Sequence, residues 1–332
     1  MTLINYHLRK LVLCLISLLL ASYAIAQKKD QGNTSTIDKY PEARIPNSAV
    51  IDMYSKLTGD TLRISILFPQ GYNADSTKNY PVIYLTDANF SFASLTQILQ
   101  VLQMGQDSQN GQNSKGVLPV KRRDLLLGVL QKSNDVQPYI PDAFVVGIGY
   151  KSTMQWAVQR YWDLTPVEDP SIPTKTGGAS YFLQFINEEL KPMIKNRFHA
   201  SGPATYVGLS LGGLFGLYAL FNQPQSFQNY IIGSPSLYYG NRVIFKYFDE
   251  FKAKHNDLNA RVFMSVGSLE QPNTTADTFH MIDNWKILSN KLLDLHFTNL
   301  HLNSIMFPNE THLSVGSIAY STGLRFIFQQ ID

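Results

Sequence analysis

The chain has 332 residues, 44% of them apolar and 16% charged, with a formal net charge of +3 at neutral pH. This composition excludes a disordered polypeptide and supplies enough apolar side chains for a large core. The near-neutral balance gives no electrostatic footprint for nucleic acid or for an anionic membrane.

Residues 1–26 read as a secretory signal. His7, Arg9 and Lys10 form a basic start, 11–20 an apolar run, and Ala24-Ile25-Ala26 a small-x-small cleavage site. The apolar run is short for a span, and polar Gln27 and Lys28 follow, so no stable membrane insertion is expected after cleavage. Cleavage removes Arg9, Lys10 and Cys14, the one cysteine of the chain, and no acidic residue. The expected product is thiol-free and exported, to the periplasm or beyond the cell. Residues 27–44 read as a mobile lead-in and 45–332 as a single domain.

In that domain, 48–55 and 61–68 read as strands joined by the turn Thr58-Gly59-Asp60, an antiparallel hairpin. The continuous apolar run 80–85 predicts a strand buried on both faces. A helix is expected over 94–104, then a polar insertion over 106–115 and an amphipathic piece over 121–130. Another buried strand covers 143–150. The stretch 151–178 carries Pro166, Pro170, Pro173 and paired glycines, and reads as a long irregular loop of functional kind. A helix over 180–195 places Phe182, Phe185, Ile186 and Leu190 on one face. Further helices are expected over 214–221, 241–255, 276–295 and 314–330, alternating with strands over 230–235, 260–267 and 300–307. The alternation implies an α/β fold: a mostly parallel, doubly wound sheet with an antiparallel hairpin at its start.

The chemistry centres on Gly208-Leu209-Ser210-Leu211-Gly212, a G-x-S-x-G motif between an apolar strand and a helix. Such a turn strains its serine, and a Cβ two residues to either side would collide with the neighbouring strand or helix. A serine hydroxyl needs a base and a group to orient that base. Among His255, His280, His296, His301 and His312, His312 lies in the loop directly beyond the last strand, where open α/β sheets build their sites. Glu270, in the loop after the preceding strand, is the favoured acid. Asp277, Asp283 and Glu310 are alternatives, as is a dyad without a carboxylate. The oxyanion donors are the amide of Leu211 and one from Ala88 or Asn89. Trp162, Tyr238 and Tyr239 fall in loops where they could stack on substrate. No metal-ligand spacing and no phosphate-binding glycine motif is present, so no cofactor and no metal is expected.

Several segments together resemble the putative-esterase family of α/β-hydrolases. They are 80–88, Val146-Gly147-Ile148-Gly149-Tyr150, Arg160-Tyr161-Trp162-Asp163-Leu164-Thr165-Pro166, 208–214, Gly233-Ser234-Pro235-Ser236-Leu237 and Glu310-Thr311-His312-Leu313. The siderophore-esterase-like branch is the nearest in appearance, with feruloyl esterases also in the family. The resemblance implies an α/β-hydrolase fold over 45–332, Ser210 as nucleophile, His312 as base and Glu270 as acid. It further implies Asn89 and Leu211 at the oxyanion hole and Arg160 facing the acyl pocket. Relatives often read Leu-Asp-Gly where this chain has Thr86-Asp87-Ala88. The implied activity is serine ester hydrolysis of a small-molecule substrate, a siderophore or a carbohydrate-linked acyl ester. An acyltransferase, or a binding module that kept the fold, are the alternatives on the same scaffold.

Overall fold

The computed structural model describes residues 44–74, 78–104, 140–271 and 279–329. The signal segment, most of the lead-in, the insertion over 106–115 and the amphipathic piece over 121–130 lie outside them, as does Asp277. Among the described residues, eight strands form one sheet: β1 (Ser48–Tyr54), β2 (Thr61–Leu67), β3 (Val82–Leu85), β4 (Phe144–Gly149), β5 (Ala204–Leu209), β6 (Asn229–Gly233), β7 (Ala260–Gly267) and β8 (Leu300–Phe307). Their order is β1-β2-β4-β3-β5-β6-β7-β8. Only β2 runs against the rest, pairing antiparallel with both β1 and β4. All other neighbours are parallel, so the carboxyl ends of β3, β5, β6, β7 and β8 share one edge.

The helices are α1 (Ala88–Met104), α2 (Thr153–Leu164), α3 (Ala179–Gln184), α4 (Lys191–Phe198), α5 (Leu211–Asn222), α6 (Tyr239–Lys254), α7 (Met281–Leu293) and α8 (Val315–Phe328), with a π-helical segment, Phe185–Leu190, joining α3 to α4. Two glycines show how the sheet is covered. A Cβ at Gly216 of α5 would meet Ile232, whereas one at Gly323 of α8 would meet Ile231. Successive strand residues face opposite sides, so α5 and α8 lie on opposite faces of β6. α1 packs with α8, and α5 with α2, α3 and α6. The α5 side holds an aromatic core that includes Tyr206, Phe215, Phe182, Phe227 and Tyr230.

Three expectations are corrected. α1 begins at Ala88, six residues before the expected start, because Phe92, Leu95 and Leu99 already form its buried stripe. The stretch 151–178 is not irregular throughout. It contains α2, whose N-terminus is capped by Ser152 Oγ accepting from Gln155 N at 3.1 Å. Periodicity hid this helix because its inward face carries Arg160 and Asp163 as well as Leu164. α6 opens with left-handed Gly240, Asn241 and Arg242, so its regular turns start later than expected.

Candidate active site

Ser210 sits between β5 and α5 with φ 58° and ψ −120°, a left-handed conformation costly for a non-glycine residue. Its backbone is fastened on both sides to the end of β6. Ser210 N donates to Gly233 O at 3.0 Å, and Ser236 N donates to Ser210 O at 3.1 Å. The flanking glycines are sterically required: a Cβ at Gly208 would stand 2.4 Å from Gly212 O, and one at Gly212 would stand 2.5 Å from Thr86 Oγ1. Buried Tyr206 braces the same turn, its hydroxyl donating to Gly212 O at 2.6 Å. With that proton committed, the 3.0 Å contact to Thr86 Oγ1 has Thr86 as the donor.

Glu270 and His312 meet beyond β7 and β8. His312 Nδ1 donates to Glu270 Oε2 at 2.7 Å. The imidazole is half-exposed, while the carboxylate is only 1% exposed. Glu270 Oε1 accepts from Gly267 N and from Ser234 Oγ, each at 2.6 Å. Three donors thus hold one buried carboxyl group, the hydrogen bonding that a buried polar group needs. The two loops are stitched together by Ser268 N to Phe307 O, Leu269 N to Glu310 O and Asn309 N to Ser268 Oγ. The competing acids are engaged elsewhere: Glu310 accepts from Ser314 Oγ, and Asp283 from Gln271 Nε2. With Nδ1–H committed to Glu270, His312 Nε2 is the nitrogen left to accept a proton. The Ser210 hydroxyl has Ser236 Oγ as its partner at 3.3 Å, a long contact of the kind that substrate binding rearranges.

The loop after β3 supplies a helix N-terminus. Asp87 takes φ 54°, and α1 starts at the next residue. The first amides of any helix lack intrahelical acceptors, so those of Ala88 and Asn89 are free to meet developing negative charge, as is that of Leu211 at the start of α5. The left-handed residue is Asp87, so alanine at 88, where relatives often carry glycine, meets no backbone penalty. The Asn89 side chain ties this helix start to β4, donating to Tyr150 O and accepting from Tyr150 N, both at 2.8 Å. Gly149 makes that possible, since a Cβ there would stand 2.7 Å from Asn89 Oδ1. Arg160 also converges here. It forms a bidentate pair with Asp87, Nε to Oδ1 at 2.8 Å and Nη2 to Oδ2 at 2.9 Å. The partner is Asp87, not Asp163 three residues along α2, whose carboxylate accepts from the Tyr150 hydroxyl at 2.9 Å instead.

Residues 132–292 match the family model described as "Putative esterase". The ferri-bacillibactin esterase BesA of Bacillus subtilis is 30% identical over 312 residues, covering 90% of this chain and 95% of that protein. The chain belongs to this esterase family. It is a carboxylic ester hydrolase on an α/β-hydrolase fold. The crystal structure of the BES protein from Bacillus cereus superposes with a TM-score of 0.70 at 30% identity, covering 90% of this chain and all of that one. The siderophore triacetylfusarinine C esterase of Aspergillus fumigatus is 34% identical over 208 residues, 56% of this chain and 70% of that protein.

Of the three aromatic residues expected in loops, Trp162 lies instead within α2 and Tyr239 opens α6. Trp162 packs between Tyr181, stacked at 5.9 Å, and Lys175 Nζ, 3.5 Å from its ring centre, with Gly178 against its indole. It lines a cavity of about 200 Å³ with Glu168, Asp169 and Thr176, one that includes none of Ser210, Glu270 and His312. Tyr239 is buried, and its hydroxyl donates to Val167 O. Tyr238 packs on Phe279 with ring centres 4.4 Å apart. Sequence reasoning passed over Trp156, which donates from Nε1 to Asp87 Oδ1 at 2.7 Å and lies edge-on to Phe90. Ser234 and Ser236 were named within a segment of the resemblance but given no role. The signal for those two was their position, a turn at the carboxyl end of the strand beside the elbow.

Proposed function

We propose that this esterase is a secreted serine hydrolase that cleaves siderophore-type esters through an acyl-enzyme. Ser210 attacks the ester carbonyl, and His312 Nε2 takes its proton. Glu270 orients the imidazole and stabilises the imidazolium that forms. The amide of Leu211, with that of Asn89 or Ala88, receives the oxyanion. His312 then returns the proton to the departing alcohol, and water repeats the sequence to free the acid. The observation that carries the reading is the 2.7 Å Glu270–His312 pair on the loops after β7 and β8, at the sheet edge where β5 ends in Ser210.

The substrate class rests on the siderophore esterases among the relatives and on the surroundings of the site. Phe90 follows Asn89, Leu269 precedes Glu270, and Leu313, 95% exposed, follows His312. Exposed apolar side chains beside three site residues suit a bulky substrate with aromatic or aliphatic faces. Export is proposed from the basic, apolar and small-x-small order of residues 1–26. N-terminal sequencing of the protein recovered outside the cytoplasm should begin at Gln27.

The test is a panel of cyclic catecholate and hydroxamate tri-esters, feruloyl and acetyl sugars and short p-nitrophenyl esters, run with wild type and Ser210→Ala. The siderophore esters should show the highest kcat/KM, and Ser210→Ala should lose turnover on every substrate while keeping its circular dichroism. A preference for acyl sugars would overturn the substrate class. Undiminished turnover in the alanine variant would overturn the mechanism.

A further inference from the structure

The turn Ser234-Pro235-Ser236 follows β6, the strand that lies between the one ending in Ser210 and the one leading to Glu270. Both serines are 1% exposed. Ser234 is fastened to β7 by its amide, which donates to Ser265 O at 2.8 Å. Its hydroxyl donates to Glu270 Oε1 at 2.6 Å. Two residues on, Ser236 N donates to Ser210 O, and its hydroxyl lies 3.3 Å from Ser210 Oγ. A Cβ at Gly213 would stand 3.0 Å from Pro235 Cα, so the turn also rests against the nucleophile's helix. One tripeptide therefore touches the acid at one end and the nucleophile at the other.

We propose that Ser234 is a positioning residue for ester hydrolysis, holding Glu270 so that its free oxygen faces His312; this rests on the catalytic roles given to Glu270 and His312 above. The donors are unequally shared. Among the described residues, Oε1 receives Gly267 N–H and the Ser234 hydroxyl, and Oε2 receives the imidazole. Two donors on one oxygen fix the plane of the carboxylate, and with it the direction in which Oε2 presents to Nδ1–H. Gly267 N–H alone would leave that plane free to rock about a single bond. Ser234 is also left-handed, with φ 40°, a conformation disfavoured for serine. Such strain persists where the surroundings over-determine it, and it is found at functional sites.

Ser234→Gly removes the hydroxyl and relieves the backbone strain, whereas Ser234→Ala removes the hydroxyl and keeps the strain. Both should lower kcat about 10- to 100-fold, the range expected for a lost hydrogen bond to a charged group expressed in the transition state. KM on a p-nitrophenyl ester should stay near wild type, so the loss falls on kcat alone. In the Glu270→Ala background, Ser234→Gly should cost nothing further, because the acceptor of its hydroxyl is gone. Wild-type kcat in Ser234→Gly, or losses that multiply in the double variant, would overturn the proposal. Ser210→Ala, assayed in parallel, separates the two failures. If it is inactive while Ser234→Gly is normal, Ser234 has no positioning role and the mechanism stands; if it is active, the mechanism itself has failed. Ser234→Cys, which restores a weak donor, gives the same comparison if the smaller residues compromise folding.

Discussion

Arg160 and Asp87, separated by 73 residues in sequence, form a two-pronged ion pair whose side chains are each 11% exposed. Trp156 adds a third donor to the same carboxylate, and its ring lies 4.9 Å from the guanidinium carbon. The pair binds α2 to the residue immediately before the free amides of α1. Its two charges cancel, so Arg160 is half of a neutral pair rather than an unpaired cation. Asp87→Ala strands the guanidinium in a nearly closed site, and losing one partner of such a pair costs about 3–5 kcal/mol. Urea titration should show that loss. Asp87→Ala combined with Arg160→Met should recover much of the stability, yet kcat should remain low because the start of α1 is no longer held.

Glu270→Gln tests how much the acid contributes. An amide in place of the carboxylate can turn its NH2 toward Nδ1, which favours the tautomer with the proton on Nε2, the wrong nitrogen for a base. A fall in kcat of about 10²–10⁴-fold is expected from that mechanism, with little change in KM. Steady-state kinetics would show it, and a loss under tenfold would mean that Ser210 and His312 work as a dyad.

Asp163 gives a pH-dependent stability. Burial pushes its carboxyl from 3.8 up to about 7, opposed by hydrogen bonds from Tyr150 and Gln159. The native state therefore holds a proton that the unfolded chain has released. That contribution is complete below about pH 3.8 and is lost as pH rises through 7. Asp163→Asn keeps an acceptor for the Tyr150 hydroxyl and cannot ionise. Relative to wild type, it should gain stability progressively from pH 4 to pH 8 in chemical denaturation, and a constant difference would contradict the assignment.

Gly208→Ala addresses the elbow itself. The added methyl would stand 2.4 Å from Gly212 O and 2.6 Å from the Tyr206 hydroxyl. Overpacking of this kind costs about 1–3 kcal/mol, and here any relief must move the turn that carries Ser210. The thermal midpoint and kcat should fall together.

The strands around the site were legible because buried parallel strands are continuous apolar runs, and their ends mark where functional loops begin. Ser210 and His312 could be singled out by motif and by chain order. Glu270 could be ranked above three other carboxylates, but its bond to His312 depends on how the loops after β7 and β8 interlock. α2 was hidden because charged side chains face inward along it. Arg160 was identifiable from the family resemblance, yet its partner was not, since nothing local links residues 87 and 160. Ser234 and Ser236 belonged to a segment of the resemblance, with nothing local to assign them a role. Only the sheet order, which puts β6 between the strand before Ser210 and the strand before Glu270, brings those serines to both residues.

The central claim, that Ser210 is the nucleophile activated by His312, is tested most directly by labelling with a fluorophosphonate followed by peptide mapping. One phosphonyl group per chain should form, on Ser210, with loss of esterase activity in proportion to labelling. Labelling should be absent in Ser210→Ala and strongly slowed in His312→Ala. A modified residue other than Ser210, or full activity in the labelled enzyme, would contradict the claim.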